Sequence, residues 1–244
     1  MRRKMLRTIS PILVSILCLV VFQQAVLAGP PLICHPFDIG NARSLAWAGA
    51  QWRDVNKSYN INRLVEDTLG LLKPETPVLV RMETLRRATV YAVWSMADYK
   101  VGYSVKDASV AKELLSRLKD RIPESGVKAD KRTTALAMFD YGYLIESYKQ
   151  AGDGSQGPKI SGGVDGYALI VKAIALRGGD PEMELAAALA TFDKEHATAR
   201  LAHLQRAVAG AKDGSLLARN LLTHFGDKGR TLAELRANVG SGNN

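Results

Sequence analysis

The fold of this chain is decided between residues 165 and 210, which read DGYALIVKAIALRGGDPEMELAAALATFDKEHATARLAHLQRAVAG. Asp165 is a favourable helix N-cap in front of an apolar run, and Gly178-Gly179 is typical of a helix end. Asp180-Pro181 begins a second helix, because aspartate caps well and proline is pre-set for the first helical position. The stretch therefore predicts a helical hairpin whose first helix covers residues 166–177.

The second helix of this hairpin is predicted to be long. Apolar residues with helical spacing follow one another at Leu185, Leu189, Phe192, Ala197, Leu201, Leu204 and Val208. Because the period is not interrupted before Gly210, we expect one continuous helix from Pro181 to the end of the stretch.

The same punctuation recurs along the rest of the chain. Apolar spacing and caps predict helices over 61–72, from 77 to about 99, from 107 to the residue before Pro123, and over 131–150 and 215–225. A short last helix begins at the capping box Thr231-Leu232-Ala233-Glu234. We find no convincing strand. The predicted fold class is therefore all-α, with antiparallel helical hairpins that form a repeat-like array or an irregular bundle.

Two resemblances support this architecture. Met138 to Tyr148, with Tyr141-Gly142 followed by Glu146-Ser147-Tyr148, resembles the first helix of a tetratricopeptide-type repeat. It covers one helix of about eight and lacks the usual tryptophan and the closing proline, so it implies an architecture alone. Cys34 to Gly40, Arg81 to Arg87 and Gly178 to Pro181 are similar to segments of uncharacterised exported bacterial proteins, a resemblance that implies no activity.

The first 28 residues have the pattern of a signal peptide. A basic start with Arg2, Arg3, Lys4 and Arg7 precedes an apolar run from Ile12 to Phe22, and Val26-Leu27-Ala28 predicts cleavage before Gly29. The run is short for a membrane span, which needs about 20 residues. An uncleaved anchor and the twin-arginine export route are the alternatives. We expect an exported protein, periplasmic or extracellular, with no stable membrane span after cleavage.

Charge and cysteine content restrict the partners. The first 28 residues carry four positive and no negative charges, so cleavage lowers the net charge from +9 to +5. Much of the basicity then belongs to targeting, and a nucleic-acid partner is not expected. Cys34 is the single cysteine after residue 28, which excludes an intramolecular disulfide and a multi-cysteine zinc site. Its fate and the oligomeric state stay open.

Beyond the signal peptide, the chain divides into three predicted regions. Residues 29–60 form an extended arm and a short helix, with Pro30, Pro31 and Pro36 opposing helix in the arm and Trp47 and Trp52 fixing the segment to the body. Residues 61–239 form the helical domain, in which the glycine-rich stretch from 152 to 164 is a flexible linker that fits neither a phosphate loop nor a calcium loop. Residues 240–244 are a disordered tail.

Cys34 and His35 are the most reactive pair by residue type. A thiol beside an imidazole can have a lowered pKa, and the thiolate is both nucleophile and metal ligand. Adjacent residues of an extended arm point in opposite directions, however, so adjacency does not make a dyad. We expect a tolerated or buried thiol; an intermolecular disulfide, metal or cofactor capture, and catalysis are the alternatives.

Arg81, Glu83, Arg86 and Arg87 lie close together on one predicted helix. Glu83 and Arg87 have the i, i+4 spacing of an ordinary surface ion pair. If this helix is central, the same charges would be partly buried and would line a groove suited to an anionic ligand.

His196 and His203 are seven residues apart on the predicted second helix of the hairpin. Their axial separation of about 10 Å is too large for one metal ion. Asp193 is close enough in sequence to join a site, but Arg200 lies on the same stripe and opposes a cation. We expect a solvated basic face here.

The sequence contains no serine-hydrolase, zinc-protease or paired-cysteine motif. We therefore favour a non-catalytic helical binding or scaffold module of the cell envelope, whose partner is a protein or peptide, and we predict no cofactor. The alternative is an enzyme or cofactor binder that uses Cys34 and His35 or the cluster from Arg81 to Arg87.

Overall fold

The computed structural model describes residues 29–95, 97–98, 104–105, 107–124, 130–152, 160–192 and 196–241. The predicted signal peptide lies outside the described residues. The described helices are α1 Pro31–Cys34, α2 Leu64–Leu71, α3 Val78–Thr89, α4 Ser109–Lys119, α5 Lys131–Gln150, α6 Gly166–Arg177, α7 Pro181–Ala190, α8 Ala197–Gly210, α9 Leu216–His224 and α10 Leu232–Gly240. A 3-10 turn, Ile61–Arg63, leads into α2, and two short strands, β1 Ala97–Asp98 and β2 Ser104–Val105, pair antiparallel. The all-α prediction is confirmed.

The caps that the sequence predicts are present. The side chain of Asp165 accepts a hydrogen bond from the backbone N–H of Ala168 at 2.9 Å, and Asp180 caps α7 in the same way. Gly178 ends α6 in the left-handed region, with φ of 70°. Thr231 caps α10, but the carboxylate of Glu234 accepts from Arg230, one residue before the position that an ideal capping box uses.

The prediction of one continuous helix from Pro181 to Gly210 is wrong. Helix α7 ends at Ala190, and α8 runs back along it, so that a Cβ added at Gly210 would be 2.5 Å from the ring of Pro181. The apolar period is the same on both sides of the break. An unbroken helix of this length would extend about 45 Å, whereas folding it back buries the apolar faces of both halves.

Helix α3 is shorter than predicted. A π-helical turn, Val90–Trp94, follows it, and the hydroxyl of Ser95 donates to the carbonyl oxygen of Tyr91 at 2.6 Å. Helix α3 together with this π-helical turn ends at Trp94, whereas the predicted helix reaches about Tyr99. At the other end of the chain Gly240 is the last helical residue, so the predicted tail is wrong at that position; residues 242–244 lie outside the described chain.

The start of the N-terminal arm is buried in the bundle. Prolines 30, 31 and 36 do not prevent a helix there, because Pro31 occupies the first position of α1, where no N–H is needed. Leu32 and Ile33 are fully buried, and α1 packs against α3, α5 and α7. The helices consequently surround the arm as an irregular bundle.

The closest helix pair in the bundle is α5 and α6. A Cβ added at Gly142 would lie 2.6 Å from the carbonyl oxygen of Gly166, and one added at Gly166 would lie 2.5 Å from the carbonyl oxygen of Gly142. The two backbones thus touch where neither residue has a side chain. This contact fixes the antiparallel pairing of α5 and α6.

The part of residues 29–60 that precedes α2 is held to the body by Trp47 and Trp52, as predicted. The ring of Trp47 meets Tyr91 edge to face at 5.6 Å, and Trp52 meets Trp94 in the same manner at 4.8 Å. A single bridge between Trp47 and Val55 closes the segment into a loop.

Candidate functional site

Cys34 and His35 lie at the end of α1, against the interior of the bundle. Burial raises the pKa of the Cys34 thiol, although the Arg86 guanidinium opposes the shift. Burial and the same guanidinium lower the pKa of His35, which keeps its imidazole neutral. A reactive cysteine needs the opposite change in the thiol. The environment therefore does not activate this pair as a nucleophile and base.

His35 faces a second histidine, His224 of α9. The rings of His35 and His224 are 5.5 Å apart in an edge-to-face arrangement, and Phe37 stacks on His224 at 4.7 Å. Both ring nitrogens of His224 are shielded from solvent and have no hydrogen-bond partner among the described residues. Burial, with further contributions from the neighbouring His35 and Arg86, lowers the pKa of His224 to about 3.

Glu83 and Arg86 clamp the arm to α3. The Glu83 carboxylate accepts two hydrogen bonds from Arg86, at 2.7 and 2.8 Å, and one from the backbone N–H of Phe37 at 3.0 Å. Arg86 also donates to the carbonyl oxygens of Ile33 and Trp52. Because these groups bond to one another and to the backbone of the arm, the cluster joins the arm to α3.

The prediction of a surface ion pair between Glu83 and Arg87 is wrong in its burial. The pair exists at 2.6 Å, but the Glu83 side chain is 1% exposed and that of Arg87 is 20% exposed. Arg87 also donates to the carbonyl oxygen of Leu45 and lies over the ring of Trp47, 5.5 Å from its centroid. The i, i+4 spacing is enough to predict the ion pair between Glu83 and Arg87, whereas the burial of this pair depends on the arm that packs over α3.

Arg81 is turned away from this clamp and binds Asp140 on α5. Its Nη1 donates to Asp140 Oδ2 at 2.5 Å, and both side chains are at most 3% exposed. The remaining donors of Arg81 bind the carbonyl oxygens of Thr76 and Lys73. Arg81, one of the four charged residues predicted to share a site, lines a pocket.

The pocket at Arg81 has a volume of about 230 Å³. Its lining residues are Leu72, Pro74, Arg81, Arg121, Thr133, Leu136, Ala137 and Asp140. Most of its wall is therefore apolar, and the charged pair is its most deeply buried part. Arg121 is exposed and donates to the carbonyl oxygens of Leu69 and Leu72, which places a fixed guanidinium at the rim.

Asp140 is a lining residue of the pocket and has a carboxylate oxygen without a hydrogen-bond partner among the described residues. This oxygen, Oδ1, is buried. Burial raises the pKa of Asp140 to about 6 although Arg81 and Arg121 lower it. Asp140 is not among the site residues predicted from the sequence. A lone carboxylate between Phe139 and Tyr141 on a largely buried helix is the signal that would have found it.

A second buried polar cluster joins α6, α7 and α8. The Tyr167 hydroxyl lies 2.7 Å from His203 Nε2, and His203 Nδ1 lies 2.5 Å from the Glu184 carboxylate, which also accepts from Arg206. The prediction that His203 belongs to a solvated face is therefore wrong. Each member of this cluster has a hydrogen-bond partner within it, as in a network that packs three helices together.

A metal site at the histidines is not supported. Asp193 lies outside the described residues, and His196 lies 6.2 Å from the ring of Tyr167, as the residue before α8. Within the described ranges no group of three or more histidine, cysteine, aspartate or glutamate side chains could hold a metal ion.

No protein-family model matches the chain, and neither a curated protein nor a solved structure shows significant similarity to it. Among the described helices none combines the length and the apolar character that crossing a membrane requires. The candidate functional site is the pocket that ends at Asp140.

Proposed function

We propose that this protein is an exported, non-catalytic binding module of the cell envelope, and that it holds a segment of a protein or peptide at the Asp140 pocket. The observation that carries the proposal is that Asp140, which lines a pocket with mostly apolar walls, has a buried Oδ1 without a hydrogen-bond partner among the described residues. Buried polar atoms are nearly always hydrogen-bonded in folded proteins. An unpaired acceptor in a pocket is consequently a group that a ligand can satisfy.

The size of the pocket supports a peptide over a larger small molecule. Its volume of about 230 Å³ lies below the range of about 300–1,000 Å³ usual for sites that enclose drug-sized ligands. Beside it a wider depression of about 460 Å³ runs along α2 and the end of α4, and Arg121 lines both. One side chain of a bound segment fits the pocket, and the neighbouring residues of that segment lie in the depression.

The alternative of an enzyme or cofactor binder at Cys34 and His35 has no comparable support. The shifts in their pKa values leave a thiol and a neutral imidazole instead of an activated pair. Arg86 and Glu83, the rest of the predicted cluster, are already committed to each other and to the backbone of the arm.

The test is selection from a random-peptide phage library on the purified protein, followed by affinity measurements with two variants. Ala137→Leu fills the pocket from a wall residue that is 8% exposed and leaves Asp140 and Arg81 in place. Ala175→Leu makes the same change at an exposed position of α6 and serves as the control. Circular dichroism and thermal unfolding check that both variants fold.

We expect selected peptides to bind the wild type and the Ala175→Leu variant equally and the Ala137→Leu variant at least about tenfold more weakly, since the lost contacts are buried ones. Failure to select any peptide, or peptides that ignore Ala137→Leu, would contradict the proposal. Export is tested separately: the intact mass of the protein recovered from the cell envelope should correspond to a chain that begins at Gly29.

A further inference from the structure

We infer that the Asp140 pocket is specific for a phenol, the side chain of a tyrosine in the bound segment; this rests on the proposed function of the pocket. The hydroxyl of the phenol donates to Asp140 Oδ1, and the ring lies between Leu72, Pro74, Leu136 and Ala137.

The deep end of the pocket requires a neutral hydrogen-bond donor. Asp140 Oδ2 is occupied by Arg81, while Oδ1 is a free acceptor. A cationic group there would face the guanidinium groups of Arg81 and Arg121, and an anionic group would face the carboxylate itself. A neutral O–H avoids both repulsions and forms a charge-assisted hydrogen bond, which is among the stronger kinds.

The walls require an apolar body that carries the donor at its far end. Asp140 is 2% exposed, so the donor must reach past the apolar lining before it meets the carboxylate. The hydroxyls of serine and threonine are too close to the backbone for this. The amides of asparagine and glutamine would bring an acceptor oxygen among apolar walls, which costs free energy. Tyrosine combines a large apolar ring with a terminal hydroxyl.

The ionisation of Asp140 gives this pocket a characteristic pH dependence. The charged groups that face Asp140 are Arg81 from α3 and Arg121 after α4, and neither changes charge near neutral pH. The pKa of Asp140 is raised to about 6, so its carboxylate is ionised at pH 7 and becomes protonated as the pH falls below about 6. Binding of a phenol should therefore weaken as the pH falls from 7 to below about 6.

The experiment compares 4-methylphenol with 4-methylanisole, in which a methyl group replaces the donating proton, by NMR titration of the purified protein. We expect 4-methylphenol to bind at least about tenfold more tightly at pH 7.5, as the loss of one hydrogen bond to a charged group implies. Ala137→Leu should weaken 4-methylphenol binding at least about tenfold, and Ala175→Leu should leave it unchanged. Equal affinities of the two compounds, or indifference to Ala137→Leu, overturn the inference.

The selected peptides separate this inference from the proposed function. We expect each peptide that loses binding on Ala137→Leu to contain a tyrosine whose replacement by phenylalanine weakens binding at least about tenfold. Peptides that depend on the pocket but carry tryptophan or another anchor would overturn the phenol inference and leave the proposed function standing. Peptides that bind elsewhere would contradict the proposed function itself.

Discussion

Arg86 donates a hydrogen bond from Nη1 to the carbonyl oxygen of Ile33 at 3.1 Å, across 53 residues of sequence. This contact joins a helix of the bundle to the arm that the bundle surrounds. The same guanidinium is fully buried and paired with Glu83. Removing Arg86 breaks a buried ion pair and leaves the Glu83 carboxylate with only Arg87 and the backbone N–H of Phe37 as partners among the described residues. Breaking a buried pair is far more costly than losing a surface pair.

We predict that Arg86→Gln lowers the free energy of unfolding by about 3–5 kcal/mol, the usual cost of breaking a buried ion pair. The matched control is Arg117→Gln on α4. Arg117 is 46% exposed and pairs with Glu66 and Glu113, so its loss should cost less than about 1 kcal/mol. Urea unfolding monitored by circular dichroism measures both. Equal effects of the two substitutions would show that the Arg86 clamp does not hold the arm.

We predict that Gly142→Ala destabilises the protein by about 1–3 kcal/mol, because the added methyl group would meet the carbonyl oxygen of Gly166 and force α5 and α6 apart. Gly70→Ala is the control within α2. A Cβ there meets no atom within 4 Å, and its φ is not positive. Alanine in a helix is favoured over glycine by up to about 1 kcal/mol.

The two substitutions should therefore change the free energy of unfolding in opposite directions, with Gly70→Ala raising it. Chemical denaturation of both variants beside the wild type measures the difference. A Gly142→Ala variant as stable as the wild type would mean that the helices pair without the close backbone contact.

We predict that His224 makes the protein sensitive to acid. Its folded pKa is about 3, below the value of 6.5 that it has when exposed, so the folded state binds fewer protons than the unfolded state between those values. The stability that depends on neutral His224 is complete above pH 6.5 and is lost as the pH falls towards 3. The loss amounts to a few kcal/mol, at about 1.4 kcal/mol per pKa unit.

The measurement is urea unfolding at a series of pH values for the wild type and for His224→Phe, which keeps a ring against Phe37. The variant should lose less stability than the wild type between pH 6.5 and 4. Asp140 acts in the opposite sense, since its folded pKa is raised, and its contribution is lost as the pH rises through about 6. Because both proteins contain Asp140, their difference isolates His224; parallel curves would refute the prediction.

We predict that Cys34 reacts slowly with a disulfide reagent in the folded protein. Burial raises the pKa of its thiol, and the backbone of Gly29 lies against the sulfur, where a Cβ would be 2.6 Å from Sγ. The reaction rate follows the thiolate fraction and access to it. The folded protein should react several-fold more slowly than the protein unfolded in guanidinium chloride. Equal rates, or a disulfide-linked dimer on a non-reducing gel, would contradict this.

Local signals explain which parts of the fold were predictable. Four helices begin at a residue whose side chain accepts a hydrogen bond from an N–H two or three residues later, namely Asp165, Asp180, Ser215 and Thr231. Because these contacts are local, the sequence alone predicts where the helices begin. The break after Ala190 has no glycine or proline to mark it. It arises because α8 packs back on α7, and that contact joins residues about 20 positions apart.

The candidate site was less predictable, because it depends on tertiary contacts. Spacing on one helix predicts a single cluster of Arg81, Glu83, Arg86 and Arg87, but their side chains bond to different parts of the chain. Glu83 and Arg86 face the arm, while Arg81 faces Asp140, 59 residues later in the chain. The prolines of the arm predict an extended segment and give no sign that Leu32 and Ile33 are buried.

The position of the arm also determines when the molecule can complete its fold. The backbone N–H of Asp38 donates to Asn220 Oδ1, and Asn220 Nδ2 donates back to the carbonyl oxygen of Asp38, each at 2.8 Å. These partners leave the ribosome 182 residues apart. The arm is the first segment of the described chain to be synthesised, and it cannot form this contact until Asn220 has been synthesised. A nascent chain that stops before Asn220 therefore has an apolar arm that lacks these two hydrogen bonds.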